Sequence, residues 1–142
     1  MMVLRPNFMA RREALNWFKE AAADLERAGR AIRDRDWALA AFLCQQACEK
    51  AFKAVYIGVL RVRPPRGHDL VMLYRGLSEV LHFNDVFIGR IPEVSQYYII
   101  ARYPNAGLEL PSESISEEQA RRAYELAGEV IRVVGGIIEA ST

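Results

Sequence analysis

Residues 36–60 limit the possible folds of this chain most strongly, because apolar side chains recur there on two faces of one predicted helix. One face is a seam of mostly small residues, which are Trp37, Ala41, Cys44, Cys48, Ala51, Val55 and Gly58. The other face has Ala38, Phe42, Phe52, Tyr56 and Val59, and polar Gln45 and Glu49 lie between the two faces. A helix that is buried on two sides needs neighbours on both, so we expect it to be the central helix of a bundle.

Long patterns near both ends of the chain predict further helices. Over residues 8–33, charged residues including Asp24 lie opposite an apolar stripe, which consists of Leu15, Phe18, Ala22, Leu25 and Ile32. Near the other end, Ser116 and Gln119 have the spacing of a capping box, which marks a helix start. The apolar line of that helix is Ala120, Tyr124, Ala127, Ile131, Val134 and Ile138.

Shorter patterns occupy the middle of the chain. After a stiff, proline-containing loop at residues 61–67, a helix is predicted from residues 68–69 to about His82, with the stripe Leu70, Leu73, Leu77 and Val80. The next run of apolar residues, 87–98, keeps helical spacing but is interrupted by Pro92. This proline predicts either a kink or the start of a new helix, so we expect two short helical pieces there. The apolar members of that run are Phe87, Ile91, Val94 and Tyr98.

These patterns together predict an all-α fold. No segment alternates apolar and polar residues as a half-buried strand does, so we expect an up-and-down helical bundle of four to five helices. The chain has 142 residues, the length of one ordinary domain, and 51% of them are hydrophobic. Residues 1–142 are therefore predicted to form a single domain.

Composition limits the classes of function. The formal net charge is +1, so any contact with nucleic acid has to be local. No run approaches the roughly 20 apolar residues of a membrane helix, and the first residues lack an apolar signal core, which predicts a cytoplasmic protein without membrane contact. Cys44 and Cys48 have no third ligand at metal-site spacing, so we interpret them as buried small residues and expect neither a metal nor another cofactor.

Several stretches resemble one protein family. They are Trp17-Phe18, Ala23-Asp24-Leu25-Glu26-Arg27-Ala28, residues 37–54, Gly67-His68-Asp69-Leu70, and residues 98–105 with their Arg-Tyr-Pro-Asn ending. Together they cover nearly the whole chain and resemble the HEPN domain family, in a branch with Arg-Tyr-Pro-Asp/Asn. The resemblance implies a helical bundle, a homodimer, binding of nucleotides or RNA, and a minimal nucleotidyltransferase partner in a toxin–antitoxin-like module.

Other HEPN branches are metal-independent ribonucleases with an arginine followed, after four to six residues, by a histidine. Beyond Arg102 the corresponding positions, 107–109, hold no histidine, so the cleavage motif is missing from its expected place. Arg63 and His68 have the literal spacing, but two prolines lie between them in a loop. We interpret this match as coincidental.

A polar strip on the central helix is the first candidate binding site. Gln45, Glu49 and Lys53 lie one turn apart, with Glu49 and Lys53 in the favourable order for an ion pair. The strip either lines a cleft that binds a base or ribose, or it pairs within the helix and with the Arg-Tyr-Pro loop.

The remaining candidates lie in the loops or, for Tyr98, near the end of the last short helical piece before residues 103–113. Arg102 is expected to clamp a phosphate while Tyr98 and Tyr103 stack on a base, or else to pair internally with a carboxylate. Arg63 is a candidate for phosphate contact or a solvated loop residue. His68 is either a general base on a ribose hydroxyl or a cap or packing residue at a helix start.

These residues, together with what the resemblance implies, leave three classes of function. The leading one is a HEPN-like nucleotide- or RNA-binding protein that works with a nucleotidyltransferase partner. The second is a metal-independent, toxin-like endoribonuclease that uses Arg102 and His68. The third is a structural adaptor whose apolar seams recruit another helical protein.

Overall fold

The computed structural model describes residues 4–101, 110 and 113–141, with side chains from residue 9 onward. Its helices are α1 (Leu4–Arg33), α2 (Trp37–Val55) with a π-helical turn directly after it (Tyr56–Leu60), α3 (Leu70–Arg75), α4 (Asp85–Ser95), α5 (Tyr97–Ile100) and α6 (Glu117–Ala140). No strand occurs in the described residues, and the predicted all-α helical bundle is confirmed. Within this part of the chain, no helix is both long and apolar enough to cross a membrane.

Helix α2 lies at the centre of the bundle and packs against all five other helices. Asp36 precedes it as the N-cap, and the Asp36 side chain accepts a hydrogen bond from the amide of Leu39, which satisfies one of the free donors of the first turn. Both predicted apolar faces pack into the core, with Cys44 and Cys48 fully buried on one and Phe52 on the other. The central position predicted from these two faces is therefore confirmed.

Small side chains allow α1 to approach α2 closely. Ala14, Ala21 and Ala28 form the buried seam of α1, and a Cβ atom added at Gly58 would lie only 2.7 Å from the Cβ atom of Ala14. The larger residues of the predicted stripe are only partly buried at the edges of this seam, and they include Leu15, Phe18, Leu25 and Ile32. The prediction was wrong about the innermost positions, which are held mainly by alanines, because side chains this small allow the close approach of the helices.

The middle of the chain departs from the sequence prediction at two places. Helix α3 ends at Arg75, not near His82, and turns follow it. Pro92 lies inside α4 instead of starting a new helix, and the break between the two short pieces comes at Gln96. Proline is tolerated at this point because the carbonyl that it leaves without a donor belongs to Ile88, an exposed residue that water can reach.

Helix α6 starts with the predicted capping box. The Gln119 amide donates to Ser116 Oγ at 3.1 Å, and the Ser116 amide donates to Gln119 Oε1 at 2.8 Å. The buried face of the helix consists of Ala120, Ala123, Leu126, Ala127, Val130, Val134 and Ile138. Tyr124, which was predicted to lie on this face, is 38% exposed, because the buried face is centred nearer to Ala123 and Val130.

Candidate functional site

The polar strip predicted on α2 lies inside the bundle. Gln45 is fully buried, and only 5% of the Glu49 surface is exposed. Burying an amide or a carboxylate without a hydrogen-bond partner costs several kcal/mol, so both side chains require partners within the protein.

The Glu49 carboxylate uses both of its oxygens. Oε2 accepts a hydrogen bond from Lys53 Nζ at 2.9 Å, one turn along α2. Oε1 lies 2.9 Å from His68 Nδ1 and accepts a longer bond of 3.3 Å from Gln45 Nε2. The Gln45 amide also donates to the main-chain carbonyl of His68 at 3.0 Å. These bonds fix the loop before α3 to the middle of α2.

This arrangement selects one hydrogen position on the His68 ring. An ionised carboxylate can only accept hydrogen bonds, so the Nδ1 atom that faces Glu49 must carry the hydrogen. In the neutral ring, Nε2 is then the acceptor. The side chain of His68 is 45% exposed, so the ring connects the buried hydrogen-bond network with the protein surface.

A tyrosine packs against this ring. The His68 and Tyr98 rings are stacked, with their centroids 3.7 Å apart and an angle of 14° between the planes. Tyr98 in turn contacts Phe42 of α2, at a centroid distance of 6.2 Å. The structure thus brings together five of the predicted residues, which we call the His68 cluster: Gln45, Glu49, Lys53, His68 and Tyr98.

The other candidates do not join this cluster in the described residues. No hydrogen bond or ion pair links Arg63 to it within the part of the chain that the structure describes. Arg102 and Tyr103 lie outside the described residues. The helix cap predicted as one role of His68 is wrong, because Asp69 caps α3 by accepting hydrogen bonds from the first-turn amides. The ring of His68 instead packs against Tyr98.

Sequence reasoning did not include Trp17 in the site. Lys53 Nζ lies 5.8 Å from the centroid of the Trp17 ring, within the range of a cation–π contact. A signal was present, since Trp17 is a large aromatic residue that lies outside the predicted apolar stripe of α1. Trp17 also lines a groove of about 470 Å³, here called the Trp17 groove, whose other lining residues are Ala10, Glu13, Ile57, Arg61, Val62, Arg63 and Pro64.

The two cysteines lie apart from this surface, and both are buried and free, as predicted. Burial raises the pKa of the Cys48 thiol, and burial together with the neighbouring Cys48 raises the pKa of the Cys44 thiol. Among the described residues, no group of three or more histidine, cysteine, aspartate or glutamate side chains is placed to hold a metal ion.

Fold and site together define a class of protein: an all-α bundle whose central helix carries a buried glutamine–glutamate–lysine strip bonded to a loop histidine. A model of the HEPN domain matches residues 14–137, and the chain belongs to the HEPN domain family.

Two solved structures share this fold over almost their whole length. TT1696 from Thermus thermophilus is 27% identical, with 87% of this chain and 97% of that chain covered and a TM-score of 0.76. ST0689, an archaeal HEPN homologue, is also 27% identical, with 89% and 98% covered and a TM-score of 0.70. No curated protein sequence is significantly similar to the chain.

Proposed function

We propose that this HEPN-domain protein binds a nucleotide or RNA at the His68 cluster. The observation that supports this best is the half-exposed His68 ring, which stacks on Tyr98 and is anchored by buried Glu49. Stacking of a base on an aromatic side chain is worth about 1–3 kcal/mol. A ring that is already held by a buried carboxylate loses little conformational freedom when a base stacks on it.

Positive charges around the cluster would contact the phosphates. Lys53 donates to Glu49, and its ammonium group keeps further N–H donors for a ligand. In this proposal Arg102 clamps a phosphate bidentately, Tyr103 provides a second stacking surface, and Arg63 contacts a phosphate from the Trp17 groove.

The endoribonuclease is a second candidate, and the contact between His68 and Glu49 favours it. With Nδ1 bonded to the carboxylate, Nε2 is the free base that could accept the proton of a ribose 2′-hydroxyl. The 2′-oxygen would then attack the adjacent phosphorus to form a cyclic phosphate, the bond from phosphorus to the 5′-oxygen would break, and the departing 5′-oxygen would take up a proton from water. Arg102 would stabilise the phosphate charge. Undiminished cleavage by a His68→Ala protein would rule out this role.

The expectations about partners and location stay predictions. They are a homodimer, a minimal nucleotidyltransferase partner in a toxin–antitoxin-like module, and a cytoplasmic location. Gel filtration with light scattering checks the dimer, and co-purification with a co-expressed nucleotidyltransferase checks the partner. If the folded protein binds a partner protein tightly but binds no nucleotide or RNA, the result favours the third class of function, a structural adaptor.

A binding titration with a matched histidine control tests the proposed function. Fluorescence anisotropy with a short labelled single-stranded RNA, and calorimetry with AMP, would be measured on the wild type, His68→Ala and His82→Ala. His82 is an exposed histidine in the loop before α4, so its removal should leave binding unchanged. We expect His68→Ala to weaken binding about tenfold, the effect of losing one stacking contact.

Salt and cleavage provide two further readouts of the same experiment. If phosphates contribute, RNA affinity should fall between about 50 and 200 mM salt. The recovered RNA is then run on a denaturing gel to detect cleavage. The proposal is contradicted by a folded wild-type protein that binds neither ligand, or by a His68→Ala protein that binds as tightly as the wild type.

A further inference from the structure

The Trp17 groove and the His68 cluster lie along one face of the central helix. Glu49, Lys53 and Ile57 follow one another at four-residue intervals, and Ile57, which lines the groove, lies about 12 Å from Glu49 along the helix, from the rise of 1.5 Å per residue. Lys53 connects the two, because its Nζ atom is 2.9 Å from Glu49 Oε2 and 5.8 Å from the centre of the Trp17 ring. A ligand longer than one nucleotide could therefore contact both features.

The lining of the groove combines one aromatic ring with two guanidinium groups. Trp17 is half-buried, whereas Arg61 and Arg63 are exposed. Within the described residues Arg63 has no hydrogen bond or ion pair, and Glu13 is the acidic residue that lines the same groove. An aromatic ring beside arginines suits a strand of bases and phosphates, whereas an apolar peptide would leave the Arg63 guanidinium without a partner.

The backbone under the groove is strained where Arg61 ends the helix. The π-helical turn at Tyr56–Leu60 places Arg61 in the left-handed region with φ of 59°, and its Nε atom donates to the Gly58 carbonyl at 3.1 Å. This conformation costs a residue other than glycine about 1–2 kcal/mol. Glycine would avoid this cost but would provide no guanidinium at the groove.

We infer that the Trp17 groove is a second subsite for the ligand of the His68 cluster, and that this ligand is a single-stranded RNA spanning both sites, not a mononucleotide. One base stacks at His68 and Tyr98, and a neighbouring base stacks at Trp17. Lys53 lies between them beside the connecting phosphate, and Arg61 and Arg63 hold the next phosphates. The inference rests on the proposed function, because it extends the ligand of that same cluster.

The experiment compares ligand lengths and uses Trp17 as the reporter. AMP, a dinucleotide and a short oligoadenylate RNA are titrated into a Trp37→Phe protein, in which Trp17 is the remaining tryptophan. Trp37 lies about 30 Å from Ile57 along the central helix, from the same helical rise, so its replacement leaves the groove intact. The same titrations are repeated with Arg63→Ala and with Arg33→Ala as a matched control. Arg33 is exposed at the far end of α1, about 24 Å from Trp17 by that rise.

The expected result is that the oligonucleotide binds at least about tenfold more tightly than AMP and changes the emission of Trp17, whereas AMP does not. Arg63→Ala should remove most of this gain, and Arg33→Ala should keep it. The second subsite is overturned if AMP and the oligonucleotide bind with equal affinity. It is also overturned if the tighter binding of the oligonucleotide persists in Arg63→Ala without a change in Trp17 emission. Either result leaves the proposed function standing. Absence of binding by every ligand overturns both.

Discussion

The Nδ1 atom of His68 lies 2.9 Å from Oε1 of Glu49, which joins a half-exposed loop residue to a carboxylate in the middle of the central helix. The other carboxylate oxygen is held by Lys53 at 2.9 Å, so the carboxyl group has little freedom to turn. The position of the imidazole therefore depends on a buried acid, and a change at Glu49 should affect both stability and ligand binding.

Replacing Glu49 with glutamine tests this dependence. Glu49→Gln keeps the size of the side chain but turns one accepting oxygen into an N–H donor, which must face either Lys53 or His68. We expect the free energy of unfolding to fall by about 2–3 kcal/mol, because a buried charged donor loses its partner. Urea denaturation followed by circular dichroism measures the change.

An exposed glutamate provides the control for this substitution. Glu125 pairs with Arg90 at the surface, and the Glu125 side chain is 63% exposed. Exposed ion pairs contribute only about 0–1 kcal/mol, so Glu125→Gln should leave the urea midpoint nearly unchanged. If both substitutions have equally small effects, the Glu49 network does not stabilise the fold.

Replacing each of two glycines with alanine should change the free energy of unfolding in opposite directions. A methyl group at Gly58 would lie 2.7 Å from the Cβ atom of Ala14 and 3.4 Å from Cδ1 of Ile138, where three helical segments meet. Gly58→Ala should therefore destabilise the protein by about 1–3 kcal/mol through overpacking. Gly136 lies inside α6 with nothing within 4 Å of an added Cβ, so Gly136→Ala should stabilise by up to about 1 kcal/mol. Thermal unfolding shows whether each variant is more or less stable than the wild type. Stabilisation by Gly58→Ala would contradict the close approach of Gly58 to Ala14.

Periodicity predicted the bundle well because helix burial follows from the spacing of apolar residues. It predicted α2 as the central helix and the capping box at Ser116, since both depend on neighbouring positions in the sequence. It could not predict that Asp24, on the charged side of the α1 pattern, is only 4% exposed. That burial depends on Lys50 of α2, whose Nζ atom lies 2.7 Å from Asp24 Oδ2, and such a pairing across helices leaves no periodic signal.

In the candidate site, too, contacts between separate segments of the chain could not be predicted from periodicity. Gln45, Glu49 and Lys53 could be grouped from their spacing on one helix. The contact of Glu49 with His68 required the path of the intervening loop, which no local pattern encodes. The part played by Trp17 was missed for the same reason, because it depends on how closely α1 approaches the end of α2.

Acid should weaken the fold through Glu93. The hydrogen bonds from Arg122, at 3.1 and 2.8 Å, hold the pKa of the Glu93 carboxyl below its ordinary value of 4.5. Because the pKa is lower in the folded state than in the unfolded state, this stabilisation is complete above the ordinary pKa and disappears as the pH falls through the folded value. The difference in unfolding free energy between the wild type and Glu93→Gln should therefore be largest above about pH 5.5 and shrink steadily below pH 4.5.

Urea denaturation of both proteins over this pH range checks the sign. Arg122→Ala should remove the same pH-dependent difference, because it deletes the donor that lowers the pKa of Glu93. A difference that grows as the pH falls would contradict the assignment.

The thiols of Cys44 and Cys48 should resist modification as long as the protein is folded. Both side chains are fully buried, and burial raises their pKa values, so little of the reactive thiolate exists at neutral pH. We expect almost no reaction with an aromatic disulfide reagent in native buffer and complete reaction of both thiols in denaturant. Addition of zinc should not change either result, because these residues are packed as core side chains of α2. A fast-reacting thiol in the native protein would contradict the burial of both side chains in the core.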